Sequence, residues 1–293
     1  MGPQIGVVIP ASQGERTLGS VLDALACQRT DRTVDVVVVV NGSRDDTARV
    51  AADGARRLSA AGHICRVAES SPGRAHAIRL GESLLSPGIR VYLDCDALLS
   101  ENAIEEFARA LSPGSGVHFA APRLELARSP SLATRCFFRT WQALPYVSDS
   151  PVTCGVYGLS EEGRARWGQM PVIHSDDKLA RLHFARRERR LLEDATYSVE
   201  APLGFGELVA ARVRYLAGNR ELAAIAPLLV TADLNRYRGV LRTVLRRPSL
   251  WPSTAVFALV YACALVRDGW TNPRGRNKAG PELEPDNYAS IAA

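Results

Sequence analysis

Two pairs of carboxylates define the chemistry open to this chain. Asp94-Cys95-Asp96 closes a short apolar run, and strand alternation puts the two acids on one side, where both can reach a single divalent cation. Hard oxygen ligands suit magnesium or manganese, and such an ion can bridge to a diphosphate. The competing reading is a solvated strand end followed by a helix cap at Ser100. Ser175-Asp176-Asp177 places two like charges side by side where a helical pattern opens. Adjacent carboxylates repel, so one of them has a raised pKa or faces a cation. Favourable negative charge at a helix N-terminus accounts for the same pair equally well. The segment Asn41-Gly42-Ser43-Arg44-Asp45-Asp46-Thr47 reads first as a turn and an N-cap. His76, His174 and His183 lack metal-ligand spacing with a third partner and read as satisfied or surface histidines, and neither Ser43 nor Ser160 sits in a nucleophile elbow.

Positioning such residues requires a scaffold, and the first 120 residues supply its signature. Short apolar runs at 5–9, 34–40 and 117–121, with 63–67 and 91–93 between them, are rich in β-branched residues and read as strands buried on both faces. Between them lie stretches of helical length at 15–28, 45–61, 74–85 and 103–111; Leu18, Val21, Leu22 and Leu25 recur at helical spacing. Strict alternation predicts an α/β fold with a largely parallel, Rossmann-like sheet flanked by helices. Such sheets bind ligands at the carboxyl ends of their strands, which here are 10–12, 41–43 and 94–96. Beyond residue 130 come an aromatic region (Phe137, Phe138, Trp141, Tyr146) and a small-residue run from Thr153 to Gly158. The expected organisation is a catalytic domain over 1–204, a basic helical region over 205–270, and a flexible polar tail over 271–293.

Composition narrows the function classes. Of 293 residues 46% are hydrophobic and 23% charged, which is globular, and a net charge of +5 is too small for a nucleic-acid-coating chain. The excess is local: residues 1–200 carry 24 basic and 24 acidic side chains, whereas 205–247 carry eight arginines against three acids. Six scattered cysteines without a CxxC pair argue against a zinc ribbon, and the apolar run at 5–9 has no basic region before it, so a reducing cytoplasm is the expected setting. Arg236, Arg238, Arg242, Arg246 and Arg247 run into Trp251 and the apolar stretch 255–266. Twelve apolar residues in a helix reach ~18 Å, short of a bilayer core, and Pro248 and Pro252 are expected to interrupt any extension. Peripheral contact with the inner face of a membrane and internal or homodimer packing are equally supported expectations for this region.

Taken in order, the motifs resemble the family 2 glycosyltransferases of GT-A fold. VVIPASQGERTL resembles that family's first strand and nucleotide-binding turn, with Pro10, Ser12 and Glu15 at matching places; VVVVVNGSRDDTARV resembles the strand ending in a (D/N)GSxDxT turn, with Asn41 at its head. GRAHAIRLG resembles the GKxxALNxG segment, VYLDCDALLS the strand carrying the metal-binding DxD, CGVYGLSEEGRARWG the acceptor-side segment, and HSDDKLARLHF the helix with the catalytic acidic pair. Val40 stands where many members have an acid, the pair reads Asp-Asp rather than Glu-Asp, and Arg212-Val213-Arg214-Tyr215 lacks the Gln and Trp of the processive QxxRW motif.

The resemblance implies an inverting transfer of a sugar from a UDP, GDP or dTDP donor to a hydroxyl acceptor, with a lipid-linked acceptor among the options. It implies Mn²⁺ or Mg²⁺ on Asp96 and Asp94, with Asp94 also facing the nucleotide, and an acceptor base at Asp176 or Asp177, the latter favoured. Arg74, Arg212 and Arg214 are candidate phosphate contacts, since guanidinium forks match phosphate oxygens. The alternatives are a sugar-phosphate nucleotidyltransferase and a catalytically inactive membrane-associated scaffold of the same fold.

Overall fold

The computed structural model describes residues 4–126, 129–148, 150–151, 154–233, 237 and 239–271. The expected tail beyond 271, and Arg236 and Arg238, lie outside the described residues. By internal contacts the chain forms two compact units, one of 1–125, 151–172 and 176–199, the other of 126–150, 173–175 and 200–293.

The first unit begins with the expected alternation: β1 (Ile5–Ala11), α1 (Leu18–Ala26), β2 (Val34–Asn41), α2 (Thr47–Ala60), β3 (Ile64–Ser70), α3 (Arg74–Leu84) and β4 (Ile89–Leu93). There follow β5 (Leu98–Leu99), α4 (Ala103–Ala110) and β6 (Phe119–Leu126). After α5 (Leu132–Gln142) and α6 (Pro145–Ser148), both of the second unit, come β7 (Val156–Leu159), α7 (Glu161–Arg164), α8 (Asp176–Leu182) and β8 (Arg189–Val199).

The eight strands make one sheet in the order β3-β2-β1-β4-β7-β6-β8-β5. Parallel pairing holds for β3, β2, β1 and β4, with Val7 opposite Val36 and Val91; β4 with β7, β7 with β6, and β5 with β8 pair antiparallel. All of β1 and β2 is buried because the sheet carries a core on each face. Ile5, Val7, Ile9, Val36 and Val38 join Leu18, Val21 and Leu22 of α1 in one core, while Val8, Val37 and Val39 join Ala77 and Ile78 of α3, Tyr92 and Tyr157 in the other. Neighbours on one strand thus serve opposite cores, the period of two that a strand imposes.

Two contacts seat α3. A Cβ at Gly81 would lie 2.5 Å from Val8 Cγ1, so only glycine lets the helix approach β1 this closely. Arg164 at the end of α7 forks onto Glu82 of α3 at 2.6 and 2.8 Å, and the Tyr92 hydroxyl donates to the same carboxylate. Burial opposes the charge on Arg164, but Glu82 keeps its pKa raised.

The second unit is helical: α5 and α6 with α9 (Phe205–Ile225), α10 (Pro227–Asp233), α11 (Val240–Leu245) and α12 (Trp251–Thr271). Residues 126–150 and 200–233 are tied together by the Ser129 hydroxyl, which donates to Pro202 O at 2.8 Å, and α5 meets α12 through Phe137, stacked 4.7 Å from Phe257. By these contacts residues 200–204 and the aromatic region near 140 group with the helices that follow, the rings finding apolar partners there. Contrary to expectation, Pro252 does not shorten the last helix; it sits in the first turn of α12, where a missing N–H costs nothing, and the helix runs for 21 residues.

Candidate active site

Three strand exits and two helix starts, those of α3 and α8, converge in the first unit. After β1 the chain turns at 12–15, with Gln13 held at φ 52°. The turn is fastened to the one after β2: Gln13 N donates to Ser43 Oγ at 3.0 Å, Gly14 N to Thr47 Oγ1 at 2.8 Å and Glu15 N to Asp45 Oδ2 at 3.1 Å. Asp46 N returns a bond to Glu15 Oε2 at 3.1 Å, and Asn41 Nδ2 donates to Ala11 O at 3.2 Å. A hydrogen bond from the Thr47 hydroxyl lowers the pKa of Asp45, keeping it an acceptor for these donors. The turns after β1 and β2 thus brace each other, although Asp46 at the N-cap of α2 makes no side-chain cap bond, and Ser12 and Glu15 of the first turn are exposed. Pro10 is buried within β1, paired with Val39.

Beyond β4, Asp94 N donates to Gly155 O at 2.7 Å and Ala97 N to Asp94 O at 3.1 Å, which closes a turn. Cys95 points inward, its thiol pushed up to about 11 by burial, and lies against Gly14. Asp94 is partly buried and Asp96 exposed. Gly155, at φ 94°, leaves room for this: a Cβ there would lie 2.9 Å from Asp94 Oδ2.

Arg74, the first residue of α3, joins the two acidic motifs. Its Nη1 donates to Asp94 Oδ1 and its Nε to Asp176 Oδ1 at 2.9 Å. Burial disfavours the guanidinium charge, yet Asp176 and Asp94 hold its pKa well above the ordinary value. Asp176 is buried, with its side chain only 4% exposed, and burial raises its pKa against the pull of Arg74. Its Oδ2 has no hydrogen-bond partner among the described residues, and neither does the Tyr157 hydroxyl. Tyr157 is stacked 4.6 Å from Tyr92 and has its own pKa raised by burial and then by Asp176. Asp177 is partly exposed.

The structure thus brings Pro10, Ser12, Glu15, Asn41, Arg74, Asp94 and Asp96 to one edge of the sheet and ties Asp176 to them. Sequence reasoning missed Tyr157 as a neighbour of the acidic pair, although it lies inside the quoted CGVYG segment; it also missed Arg74 as the link between the motifs. Arg212 and Arg214 belong to the second unit, where the Arg212 guanidinium lies over the rings of Phe137 and Tyr215 at 5.2 and 5.3 Å and Arg214 is exposed. Among the histidines, His174 Nδ1 meets Glu221 at 2.8 Å, His183 Nδ1 meets Leu179 O at 2.8 Å, and His76 is exposed. No group of three His, Cys, Asp or Glu among the described residues is arranged to hold a metal ion. A two-carboxylate site suits an ion that completes its shell with diphosphate oxygens and water, as magnesium and its relatives do.

The sequence model of the family described as glycosyltransferase-like family 2 matches residues 3–192. The chain belongs to that family. Its sheet and flanking helices are the GT-A fold. No curated protein matches the glycosyltransferase. A mannosyltransferase from Pyrobaculum calidifontis, solved with GDP-Man and Mn²⁺, superposes with a TM-score of 0.62 over 92% of this chain and 88% of its own, at 16% identity. That likeness shows the fold. Glucosyl-3-phosphoglycerate synthase from Mycobacterium tuberculosis, solved with Mn²⁺, UDP and glucosyl-3-phosphoglycerate, has a TM-score of 0.45 at 24% identity over 69% of this chain and 71% of its own.

Proposed function

We propose that this glycosyltransferase moves a sugar, with inversion, from a nucleoside diphosphate donor to a hydroxyl acceptor, using Asp177 as the acceptor base. The observation that carries the reading is Arg74, which bridges Asp94 at the strand exit to Asp176 of the acidic pair. The phosphate-facing edge and the acceptor-side acids therefore share one pocket of charge. Family membership favours glycosyl over nucleotidyl transfer.

Each residue then has a task. The turns at 12–15 and 41–47 cradle the nucleoside, with Ser12 and Glu15 exposed to it. Asp96 and Asp94 would hold a divalent ion, manganese or magnesium, which supplies Lewis-acid stabilisation of the departing diphosphate. Arg74 faces the same phosphates with a fork that a carboxylate can vacate. Asp176, buried and tied to Arg74, orients the guanidinium and its neighbour. Asp177 has solvent access and takes the acceptor proton. Alcohols are poor nucleophiles until that proton has a destination, and a positioned base contributes about 10² to 10⁴-fold.

Asparagine at each acid tests the assignment. Asp177→Asn is expected to keep sugar-nucleotide affinity and lose turnover by about 10² to 10⁴-fold, whereas Asp176→Asn should weaken donor binding as well, because Arg74 loses a partner. The opposite pattern would transfer the base to Asp176, whose buried, unpartnered Oδ2 is the feature favouring it. Near-normal turnover in both variants would leave the pair as a helix cap only, and a wild-type chain that neither binds nor hydrolyses any sugar nucleotide would be the inactive scaffold.

A further inference from the structure

Helix α12 has no polar face. A helix lying on its own domain ordinarily turns charged residues outward. Here the inward side is apolar where expected, with Val260 and Ala264 buried and Phe257 and Tyr261 stacked on Phe137. The outward side carries Trp251, Ala255, Leu259, Ala262, Leu265 and Val266, and no charged residue appears on it before Arg267. Trp251, Leu259, Leu265 and Val266 are 53–59% exposed, and just upstream α11 exposes Leu241 at 70% and Leu245 at 60%. Exposed apolar surface of this extent on one unit marks a contact with something apolar.

Charge says what that partner is. Between positions 234 and 267 the sequence contains six arginines and no aspartate or glutamate. Arg242, Arg246 and Arg247 are exposed beside Leu241, Leu245 and Trp251, and they form no ion pair among the described residues. A second copy of this chain would bring one uncompensated basic surface against another, which costs free energy. An anionic surface with an apolar layer beneath its charges satisfies both features at once. We propose that α11 and α12 form a docking surface for an anionic lipid bilayer, with the helices lying in the interface plane.

Length alone would let α12 cross a bilayer, since 21 residues extend ~31 Å. Its inward side argues for lying flat. Ser253 accepts a hydrogen bond from Thr140 at 2.9 Å, and near the other end Asp268, only 6% exposed, is paired with Arg220. Helix α9, against which α12 rests, carries Glu207, Arg212, Arg214, Arg220 and Glu221 along its length, so the pair cannot enter hydrocarbon together. One side is thus committed to protein and the other offered to lipid, with a tryptophan at the boundary, as interfacial helices are built.

Flotation of the full chain with vesicles tests this. Binding is expected to phosphatidylcholine vesicles containing phosphatidylglycerol, to be weakened by salt, and to be much weaker on phosphatidylcholine alone. Replacing Arg242, Arg246 and Arg247 together by Ala should lower affinity for the anionic vesicles about a hundred-fold, from roughly five-fold per arginine at the surface. Leu259→Glu with Leu265→Glu should abolish flotation, and because all five positions are exposed, both variants should melt at the wild-type temperature. A wild-type chain that stays with the protein-only fraction at low salt, or floats equally with neutral vesicles, overturns the proposal. So does a wild-type dimer that the glutamate variant splits while no vesicle binding is seen, which would assign the face to a second copy.

Discussion

Arg74 donates to Asp94 and to Asp176, and neither bond could be read from local pattern. Asp94 and Asp96 announce themselves as two oxygen ligands at the end of an apolar strand; Asp176 and Asp177 announce themselves only as adjacent like charges. What joins them is an arginine in a segment read for its likeness to GKxxALNxG, and its reach of 102 positions to Asp176 is set by the tertiary fold. The geometry explains how an acid can be buried with one oxygen unpartnered: the ion pair holds the other. Removing the guanidinium leaves that charge uncompensated. Arg74→Ala should therefore destabilise the unliganded protein by about 3 kcal/mol, the scale of a broken buried pair, and weaken nucleoside diphosphate binding. Arg74→Lys, with a single point charge in place of a fork, should restore part of the stability and little of the affinity. Denaturant unfolding with and without nucleoside diphosphate measures both; an Arg74→Ala variant unchanged in either would remove the bridge from the account.

Among the elements, the strands buried on both faces were the most legible. Runs at 5–9 and 34–40 lie within β1 and β2, because a strand covered on both sides must be apolar throughout. The second half of the sheet was harder to see. Strand β8 carries Arg189, Arg190, Glu193 and Asp194, so only part of its length contributes to a core and no continuous apolar run marks it. Strand β7 is four residues long and reads as a small-residue run, since Gly158 must make way for Phe107, 2.6 Å from where its Cβ would be. Placement of α3 matters most for the site, because Arg74 is its first residue. The buried fork of Arg164 on Glu82 holds the far end of that helix. Glu82→Leu or Arg164→Met should cost about 3 to 5 kcal/mol by leaving one charge buried without its partner. The double substitution Glu82→Leu with Arg164→Met should recover much of that, which a double-mutant cycle in thermal unfolding would read; additive losses would mean the pair has no such role.

At the scale of the whole molecule, a charge count separates the chain into two chemistries. The first 200 residues are electrically balanced, as befits a unit whose acids and arginines are spent on one another and on a polar ligand, while the basic excess lies in the helical region. The two-unit division was only partly legible, because the pairing of α5 with α12 depends on aromatic stacking between segments more than a hundred residues apart. The decisive property is whether the edge formed by the strand exits binds a sugar nucleotide through a divalent ion. Thermal unfolding of wild type and Asp96→Ala with UDP-, GDP- and dTDP-sugars, each with manganese or with chelator, asks this directly. One donor class should raise the wild-type melting temperature only when manganese is present, by the mass-action stabilisation of about 2.7 kcal/mol expected at a hundred times Kd. Asp96→Ala should melt like wild type without ligand and show no manganese-dependent shift. Equal stabilisation with manganese and with chelator, or an unaltered shift in Asp96→Ala, would contradict the assignment.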